Sequence, residues 1–595
     1  MKSQILDVLV IGGGVVGAGA ALDAASRGLT VGIIEKSDWA SGTSSRSSKL
    51  VHGGIRYLEQ LNFKLVKEAL VERGLLLRTI APHLVRPVSF LYPVTAPLAE
   101  RFYVGAGMAL YDLFSYAGGR HPGVGLHRHL SRKRVRAELP GLNRAACRGG
   151  ISYFDAQVDD ARLVATIVRT AVSRGVHAMN RAGAAEIMPG TGSADHTVLV
   201  SDEETGERFE VRARSIINAT GVWTAESQTM IGADSAVEVT MSKGVHILVD
   251  RDRFPSTMGL ILRAGASVLF VIPWGNYWII GTTDTPWDLG KTNPSATSAD
   301  VQYLLDHVNK VLEVPIVHED ILGVYAGLRP LVKGKAGSTA QLSREHVVDV
   351  PHEGIAVIAG GKLTTYRVMA KDAVDAATQG RSTARPSQTL DLPLLGGENF
   401  VAAKMESVCA YMLETLGLPS SHAARLVGRY GNMATEVLKP VAGNRVLGLE
   451  ICGGGGALLA EALYAVTHEG ALHLEDVLER RLRISIESKD FGEEAASEVA
   501  RAVAPALDWT AQDVDDELER YQEFVRLQRE AISVPDDASA DAVMKRAVPA
   551  ARAAAGLHAE PSRKTTNIYS CQTSNDLVCL MNKVAKAPSG HFPCR

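Results

Sequence analysis

Three glycines near the N-terminus have the spacing of a dinucleotide-binding turn. Gly12, Gly14 and Gly17 lie within the run GGGVVG at residues 12–17. The first glycine permits a tight turn, the second lets the backbone approach a pyrophosphate, and the third lets a helix pack closely against a strand. The N-terminus of that helix would present unpaired N–H groups and a positive dipole end to the phosphates. This chemistry predicts a nucleotide cofactor.

Two strands and a helix must position this turn, and the sequence supplies all three. Ile5 to Ile11 is an apolar, β-branched run typical of a strand buried on both faces, and an alanine-rich helix, Ala18 to Arg27, follows the glycines. A second strand, Thr30 to Ile34, leads to Glu35, whose carboxylate can accept hydrogen bonds from the hydroxyls of an adenosine ribose. A glutamate at this position disfavours NADP, but the pattern does not separate NAD from FAD.

Longer motifs follow the glycine turn and together resemble one family. Residues 42–57 read GTSSRSSKLVHGGIRY, and residues 360–367 read GGKLTTYR. The motifs between these two are, in chain order, IINATGVW (216–223), KGVH (243–246), FVIPW (270–274), IGTTD (280–284), GLRP (327–330) and LSR (342–344). In this order they resemble the FAD-dependent, quinone-linked glycerol-3-phosphate dehydrogenases, over residues 1–545.

The resemblance implies a substrate and residues that bind it. We expect oxidation of sn-glycerol 3-phosphate to dihydroxyacetone phosphate by hydride transfer to FAD, with the electrons passed to a membrane quinone. Arginine suits a phosphate because its planar guanidinium donates two parallel hydrogen bonds. By resemblance, Arg329 and Arg344 line the phosphate end of the site, and Arg56, Tyr57 and Lys362 lie near the reacting carbon.

The reaction also removes a proton from the C2 hydroxyl, and we predict His246 as the base. Its unperturbed pKa of about 6.5 lies close to working pH. The alternative for His246 is a structural histidine, and Lys362 or Arg56 could instead stabilise the forming alkoxide. The sequence does not settle this division of labour.

The predicted FAD contacts lie in the glycine turn, in loops of small hydroxyl residues, and at strand ends that open onto the cofactor. Asp284 is the least certain of them, because it could simply cap the turn before Pro286. The predicted cofactor contacts are Gly12, Gly13, Gly14, Gly17, Glu35, Lys36, Thr43, Ser44, Ser48, Lys49, His52, Gly53, Gly54, Thr220, Gly221, Trp223, Thr283, Asp284, Gly361, Lys362, Leu363 and Thr364.

Because these motifs are scattered along the chain, the Rossmann-like FAD-binding domain of this α/β protein must be discontinuous. We assign residues 1–90, 145–235 and 320–385 to it. An inserted mixed β-sheet, predicted from residues 91–144 and 236–319, binds the substrate. Residues 398–545 are predicted to form an all-α C-terminal domain that could mediate dimerisation, and residues 561–595 an atypical, disordered tail.

Composition sets limits on partners and location. The formal net charge of −3 predicts no general attraction to nucleic acid. The six cysteines form no Cys-x-x-Cys pair, so we expect no metal site and a reducing, cytoplasmic compartment. We find neither a signal peptide nor a run of about 20 apolar residues, so any attachment to the inner face of the cell membrane is expected to be peripheral.

One segment is a candidate for that attachment. Residues 102–116 are apolar and aromatic, and a basic stretch, Arg128 to Arg136, follows them. Together they could lie on an anionic membrane surface. The alternative, which we favour from sequence, is a buried helix followed by a solvated basic helix that begins at Ser131.

Other functions on the same fold remain open at this stage. An oxidase would pass the electrons to oxygen, and the motifs do not exclude it. An FAD-dependent amine or amino-acid oxidoreductase would need a clamp for a carboxylate in place of several cations suited to phosphate. A flavin-bound scaffold without activity would be favoured by loss of Lys362 or of the arginines, and all of them are present.

Overall fold

A computed structural model describes residues 1, 4–95, 99–116, 123–143, 145, 148–190, 194–232, 237–264, 267–332, 345–379 and 385–547. The predicted substrate contact Arg344 and the predicted tail, residues 561–595, lie outside these ranges. Arg56 is described only by its backbone, as the first residue of a short helix.

The described residues contain three β-sheets and many helices. The strands are, in chain order, β1 (Val8–Ile11), β2 (Val31–Ile34), β3 (Leu50–Val51), β4 (Arg86–Pro93), β5 (Arg128–Ser131), β6 (Gly149–Gln157), β7 (His177–Met179), β8 (Ala182–Met188), β9 (His196–Asp202), β10 (Arg208–Ala213), β11 (Ile216–Asn218), β12 (Val239–Asp250), β13 (Gly259–Ala264), β14 (Ser267–Trp274), β15 (Tyr277–Gly281), β16 (Thr285–Trp287), β17 (Ile321–Val332), β18 (His346–His352) and β19 (Ile355–Gly360).

The α-helices are, in the same order, α1 (Val15–Ser26), α2 (Arg56–Glu59), α3 (Phe63–Leu75), α4 (Ala99–Ser115), α5 (Arg132–Glu138), α6 (Asp160–Val172), α7 (Thr224–Ile231), α8 (Ser298–Val308), α9 (Tyr366–Ala377), α10 (Ala402–Thr415), α11 (Ala423–Tyr430), α12 (Ala434–Leu438), α13 (Leu459–Glu469), α14 (Ile484–Glu487), α15 (Glu493–Val503), α16 (Ala511–Ser533) and α17 (Asp537–Met544).

The first sheet is mostly parallel and has the strand order β18-β19-β11-β1-β2-β7, with only β18 antiparallel to its neighbour. All four residues of β1 are buried, as the apolar run predicted. Helix α1 begins at Val15, three residues before the predicted start, because Gly17 packs inside its first turn. The small side chains of α1 let it lie directly against α9 and α6. Strands β10, β9 and β8 form a separate antiparallel sheet.

The third sheet is mixed and has the order β16-β12-β15-β14-β13-β4-β6-β3, with β17 also paired to β12 and β5 to β6. The register places His246 of β12 beside Gly281 of β15 and Tyr325 of β17. Strands β3, β4, β6 and β17 thus belong to this sheet, although the predicted boundaries put them mainly with the FAD-binding segments. The division into domains stays a prediction, and the strand pairing shows that the two layers are interwoven.

The C-terminal part, α10 to α17, is helical and has its own hydrophobic core. Helix α16 covers the segment 510–530, whose apolar spacing predicted a helix. Residues 475–486, predicted as one helix, form a π-helical turn (Asp476–Arg481) and the short α14. They are interrupted by Arg483, whose φ is +72°. The interruption turns the charged side chains of this segment towards the FAD-binding part.

Buried ion pairs join the helical part to the first sheet. Asp38, which follows β2, accepts hydrogen bonds from Arg480 Nε at 2.6 Å and from Arg481 Nη2 at 2.7 Å, and its side chain is fully buried. Arg162 of α6 donates to Glu469 of α13 through both terminal nitrogens, one of them at 2.6 Å. Removing one partner of such a pair typically costs about 3–5 kcal/mol, because a charge is left buried.

The aromatic segment 102–116 forms helix α4, with one face buried and one exposed. Val104, Met108 and Tyr111 are buried, whereas Phe102 is 81% exposed and Leu113 is 64% exposed. The alternative of a buried helix is thus correct for one face, and contact of the other face with a membrane stays a prediction. Helix α5 begins after its N-cap at residue 131, as predicted. None of the helices within the described ranges is long and apolar enough to cross a bilayer.

Candidate active site

The glycine turn joins β1 to α1 at the carboxyl end of the parallel strands. Gly12 has a φ of +110°, and a Cβ atom there would lie 2.6 Å from the carbonyl oxygen of Ala219. A Cβ atom at Gly17 would overlap the carbonyl oxygen of Gly12, so glycine is needed for this close packing of helix and strand. Gly14 is the N-cap of α1 and provides no side-chain cap. Backbone N–H groups at this turn can therefore donate to a pyrophosphate.

Glu35 follows β2, and its carboxylate is fixed on two sides. Gly13 N donates to Oε2 at 2.7 Å, and Ser37 N donates to Oε1 at 2.8 Å. Burial raises the pKa of Glu35, and the two N–H donors partly offset that shift. Each oxygen keeps lone-pair capacity for a further hydroxyl donor. The adjacent Lys36, also predicted as a cofactor contact, is exposed.

The segment 43–54 links several of the predicted cofactor contacts. Ser44 Oγ accepts a hydrogen bond at 3.0 Å from the first N–H of α1. Thr43 Oγ1 donates to the carbonyl oxygen of Leu328 at 2.6 Å, which ties the segment to β17. His52 N donates to Thr364 Oγ1 at 3.0 Å, which ties it to the residues after β19. The structure therefore brings together sequence motifs that are more than 300 residues apart.

The remaining predicted contacts lie just beyond the ends of β11, β15 and β19. Thr220 Oγ1 donates to Asn218 Oδ1 at 2.8 Å, and Gly221 and Trp223 belong to the 3₁₀ turn that follows. Thr283 Oγ1 accepts a hydrogen bond at 3.0 Å from the backbone N–H of Val245 in β12. Gly361 and Leu363 follow β19, whereas the predicted contacts Gly53 and Gly54 follow β3 within the segment 43–54. Which of these residues touches the cofactor stays a prediction.

Two of the predicted groups near the reacting carbon lie against each other. Lys362 Nζ lies 3.9 Å from the centroid of the Tyr57 ring, close enough for a cation–π contact. Lys362 is also the N-cap of the 3₁₀ turn that carries Thr364, and Tyr57 follows the Gly53–Gly54 pair. The ammonium group is thus held beside the segment 43–54.

Arg329 of β17 is held by the residues that follow β15. Its Nη2 donates to Thr282 Oγ1 at 2.7 Å, and its Nη1 donates to the carbonyl oxygen of Thr283 at 3.2 Å. Asp284 Oδ1 lies 3.5 Å from Nη1 and also accepts a hydrogen bond from Ser242 Oγ. These contacts fix the orientation of the guanidinium, and Asp284 acts here on Arg329 and Ser242 in addition to any role at the cofactor.

His246 is buried, and its ring is fixed by a hydrogen bond at its edge and by a stacked ring on one face. Its Nε2 lies 2.8 Å from Ser48 Oγ, and its ring stacks on Tyr325 at a centroid distance of 4.7 Å. Nδ1 has no hydrogen-bond partner among the described residues. Burial first, and then the charges of Arg329 and Lys49, hold the pKa of His246 well below its usual value. The sequence-based argument that this imidazole titrates near working pH is wrong, and the ring is neutral there.

A buried aspartate that no sequence pattern indicated organises the backbone beside His246. Asp160, at the start of α6, accepts hydrogen bonds from Ser47 N at 2.9 Å and from Lys49 Nζ at 3.0 Å. Arg483 Nη2 donates to the same carboxylate at 2.8 Å and to the carbonyl oxygen of Ser45 at 2.8 Å. The cluster of Asp160, Lys49 and Arg483 thus fixes residues 45–49, which carry the partner of His246.

Tyr325 completes this arrangement, and it too was missed from the sequence. Its hydroxyl donates to the carbonyl oxygen of Ser47 at 2.9 Å while its ring stacks on His246. Lys49, predicted as a cofactor contact, places its ammonium 4.9 Å from the centroid of the same ring and is fully buried. A single Tyr or Asp in an apolar stretch has no signature, so only the strand register reveals these two residues.

The residues present fit FAD. A turn that only glycine permits, a carboxylate oriented at the end of β2, and strand ends that converge beside them provide groups for a pyrophosphate, an adenosine ribose and a ring system. His246 and Arg329 lie in strands of the mixed sheet, and Lys362 lies after β19 of the parallel sheet, so groups suited to a substrate come from both sheets.

Comparison with known proteins identifies the family. A family model described as FAD dependent oxidoreductase matches residues 7–372, and one described as the C-terminal domain of alpha-glycerophosphate oxidase matches residues 387–514. Glycerol-3-phosphate dehydrogenase 2 of Mycobacterium bovis is 49% identical over 554 residues, which cover 93% of each chain. The mitochondrial glycerol-3-phosphate dehydrogenase of Homo sapiens is 36% identical over 541 residues, 87% of this chain and 73% of that one.

A solved structure agrees with these matches. The glycerol-3-phosphate dehydrogenase from Bacillus halodurans, determined in complex with FAD, superposes with a TM-score of 0.72 at 28% identity. The superposition covers 88% of this chain and 95% of that one. The predicted α/β architecture and the cofactor are thereby confirmed. The chain belongs to the family of FAD-dependent glycerol-3-phosphate dehydrogenases.

Proposed function

We propose that this enzyme oxidises sn-glycerol 3-phosphate to dihydroxyacetone phosphate and passes the electrons to a membrane quinone. The observation that carries the substrate assignment is the convergence of Arg329, Lys362 and a neutral His246 around one segment, residues 43–54, which also contacts the dinucleotide turn. Two cations suit a phosphorylated substrate, and the neutral ring can accept a proton. FAD, when bound, supplies the hydride acceptor.

The side chains divide the remaining work. Arg329, oriented by the residues after β15, donates to the phosphate, and Lys362 and Arg56 stabilise negative charge that develops at the C2 oxygen. His246 accepts the proton of the C2 hydroxyl, with Ser48 and Tyr325 fixing the ring. Arg344 and Tyr57 complete the substrate contacts. The negative phosphate, once bound beside Arg329, makes protonation of His246 less costly than in the free enzyme.

Attachment to the inner face of the cell membrane gives access to the quinone. The exposed face of α4 carries Phe102 (81% exposed) and Tyr103 (59% exposed). Arg101 of the same helix donates to the carbonyl oxygen of Leu130 at 2.9 Å, so the basic residues around α5 lie next to it. Helix α5 exposes Arg132, Lys133, Arg134 and Arg136. An apolar face beside a basic one suits a surface of anionic lipids.

A dehydrogenase and an oxidase differ in the acceptor, and one experiment separates them. Anaerobic addition of glycerol 3-phosphate should bleach the flavin absorbance of the purified protein. A short-chain quinone should then restore the absorbance much faster than air-saturated buffer does. Faster recovery with oxygen, together with release of hydrogen peroxide, would establish the oxidase. A flavin that stays oxidised would defeat the substrate assignment and turn attention to amines.

The membrane surface has its own test, with a matched control. Phe102→Ser combined with Tyr103→Ser should reduce co-sedimentation with vesicles that contain anionic phosphatidylglycerol. Tyr411→Ser removes an aromatic ring that is 72% exposed on α10 and should leave co-sedimentation unchanged. Equal binding of all three proteins would exclude α4 as the contact. The cytoplasmic location, the homodimer and the domain boundaries given above complete the proposal.

A further inference from the structure

A cleft of about 540 Å³ lies between residues 77–87 and the helices α10 and α11. Its volume falls in the range of roughly 300–1,000 Å³ that small-molecule sites occupy. The lining includes Leu77, Arg78, His83, Arg86, Phe400 and Val427. None of the residues assigned above to the cofactor or the substrate lines this cleft. It therefore needs an explanation of its own.

Two polar side chains in the cleft lack partners within the described part of the chain. Arg86, at the start of β4, is exposed, and its guanidinium makes no hydrogen bond or ion pair with a described residue. His83 is 3% exposed, and neither of its ring nitrogens has a hydrogen-bond partner among the described residues. Burial, reinforced by the charge of Arg162, lowers the pKa of His83 to about 4, so its ring is neutral. The guanidinium of Arg86, which has no partner among the described residues and lies at a concave surface, can donate to an anionic ligand.

The guanidinium of Arg86 reaches across the cleft to α11. A Cβ atom at Gly428 would overlap Arg86 Nη2, so the arginine takes this position only over a glycine. Leu77, Phe400 and Val427 supply apolar surface beside it. Arg86 thus lies beside the apolar part of the cleft, so that one ligand could place a charged group on Arg86 and an apolar group on these side chains.

The other charges of the lining limit the ligand further. Arg78 is exposed on the same wall as Arg86, and its Nε lies close to Gly123. Glu406, on the α10 wall, is the acidic member of the lining, so the described cleft has an excess of positive charge. A carboxylate on that wall disfavours a ligand with anionic groups at both ends.

We propose that this cleft is a second ligand site, which binds a small organic anion with one anionic group, a phosphate monoester or a carboxylate, attached to an apolar group. Arg86, assisted by Arg78, holds the anionic group, and the apolar group packs on Phe400 and Val427. The site joins the helical part to the segment that leads into β4. The assignment is independent of the proposed substrate and acceptor.

Calorimetric titration of the FAD-loaded, full-length protein with phenyl phosphate tests the proposal. We expect saturable binding that is at least tenfold tighter than the binding of inorganic phosphate or of phenol. Arg86→Met should weaken the binding of phenyl phosphate at least tenfold. The control Arg208→Met removes an exposed arginine on β10 and should leave this affinity unchanged. Retained binding in Arg86→Met, or binding no tighter than that of inorganic phosphate, would overturn the proposal.

Two further variants guard against misfolding and against binding at the substrate site. Gly428→Ala displaces the end of the flexible Arg86 side chain, and alanine is favoured over glycine inside a helix by about 1 kcal/mol. This variant should therefore fold normally and still weaken the binding of phenyl phosphate. If Arg329→Ala abolishes the binding while Gly428→Ala leaves it intact, the ligand occupies the substrate site and the cleft is not a site.

Discussion

Replacing Arg483 by methionine should slow flavin reduction although this residue belongs to the helical part. Its guanidinium is 1% exposed and donates to Asp160 and to the carbonyl oxygen of Ser45. These contacts fix residues 45–49, which carry Ser48, the partner of His246 at 2.8 Å. Methionine has a similar length but donates no hydrogen bonds, so residues 45–49 would lose one of their two buried cationic anchors.

The expected decrease in the rate of flavin reduction follows from the contacts that position Ser48 and His246. A hydrogen bond between neutral groups, such as that between Ser48 and His246, contributes about 0.5–1.5 kcal/mol, or roughly a 2- to 13-fold change in rate. A displacement of about 1 Å at a reacting group can cost about 100-fold. We therefore expect the rate of flavin reduction by glycerol 3-phosphate to fall about 10- to 100-fold. The flavin should remain bound, because Arg483 does not touch the glycine turn or Glu35.

Anaerobic stopped-flow absorbance measures this rate, and FAD content is measured on the same sample. Arg483→Lys, which keeps the charge and one donor nitrogen, should recover part of the rate. Arg162→Met is the matched control, since it breaks an equally buried pair with Glu469 but does not contact residues 45–49. A rate within twofold of the wild type, or an equal loss in Arg162→Met, would refute the reasoning.

Three further outcomes are expected. Glu35→Gln should raise the dissociation constant of FAD about 5- to 30-fold, since a charged acceptor contributes about 1–2 kcal/mol more than a neutral one; equilibrium dialysis with an unchanged constant would contradict this. The second-order rate constant of flavin reduction, measured at low substrate so that it reports the free enzyme, should show no acid limb from His246 at pH 6.5, because burial and two cations hold the pKa of that ring well below 6.5; a limb centred there that the ionisation of the substrate phosphate does not explain would assign the ring a different environment. His473, between Glu204 and Glu517, has a pKa raised from 6.5 to about 9 by those carboxylates against the effect of burial, so its stabilisation is complete below pH 6.5 and is lost as pH rises through 9. His473→Gln should therefore have a free energy of unfolding about 3 kcal/mol below that of the wild type at pH 7. Between pH 7 and 9.5 the melting temperature of the wild type should fall while that of His473→Gln does not; two parallel curves of melting temperature against pH would count against this interaction.

The local elements of the cofactor site could be predicted because each has a backbone requirement. Gly12 needs a positive φ, Gly17 needs close packing, and Glu35 needs only its place after a buried strand. Such requirements are local, so they appear as fixed spacings in the sequence. The same holds for the strand that contains Val8 and for α16, where periodicity alone indicates the element.

The other features of the candidate site could not be predicted, because they depend on contacts between segments that are distant in sequence. Asp160 and Tyr325 hold the residues around His246, but each follows or lies in an ordinary apolar stretch and gives no pattern. The unperturbed pKa assumed for His246 was wrong because burial and two cations come from other parts of the chain. The helix predicted across Arg483 was broken for the same reason, since its side chain is turned towards Asp160.

The buried carboxylate of Asp38 has a consequence for synthesis of the chain. Its cationic partners, Arg480 and Arg481, follow it by 442 and 443 residues. At roughly 5–20 residues per second, a ribosome needs about 20–90 s to cover that distance. During this interval the loop after β2 holds a carboxylate that cannot be buried without its counter-ions. We therefore expect the nascent chain to retain FAD only after residue 481 has emerged, so that bound cofactor reports that synthesis has passed this point.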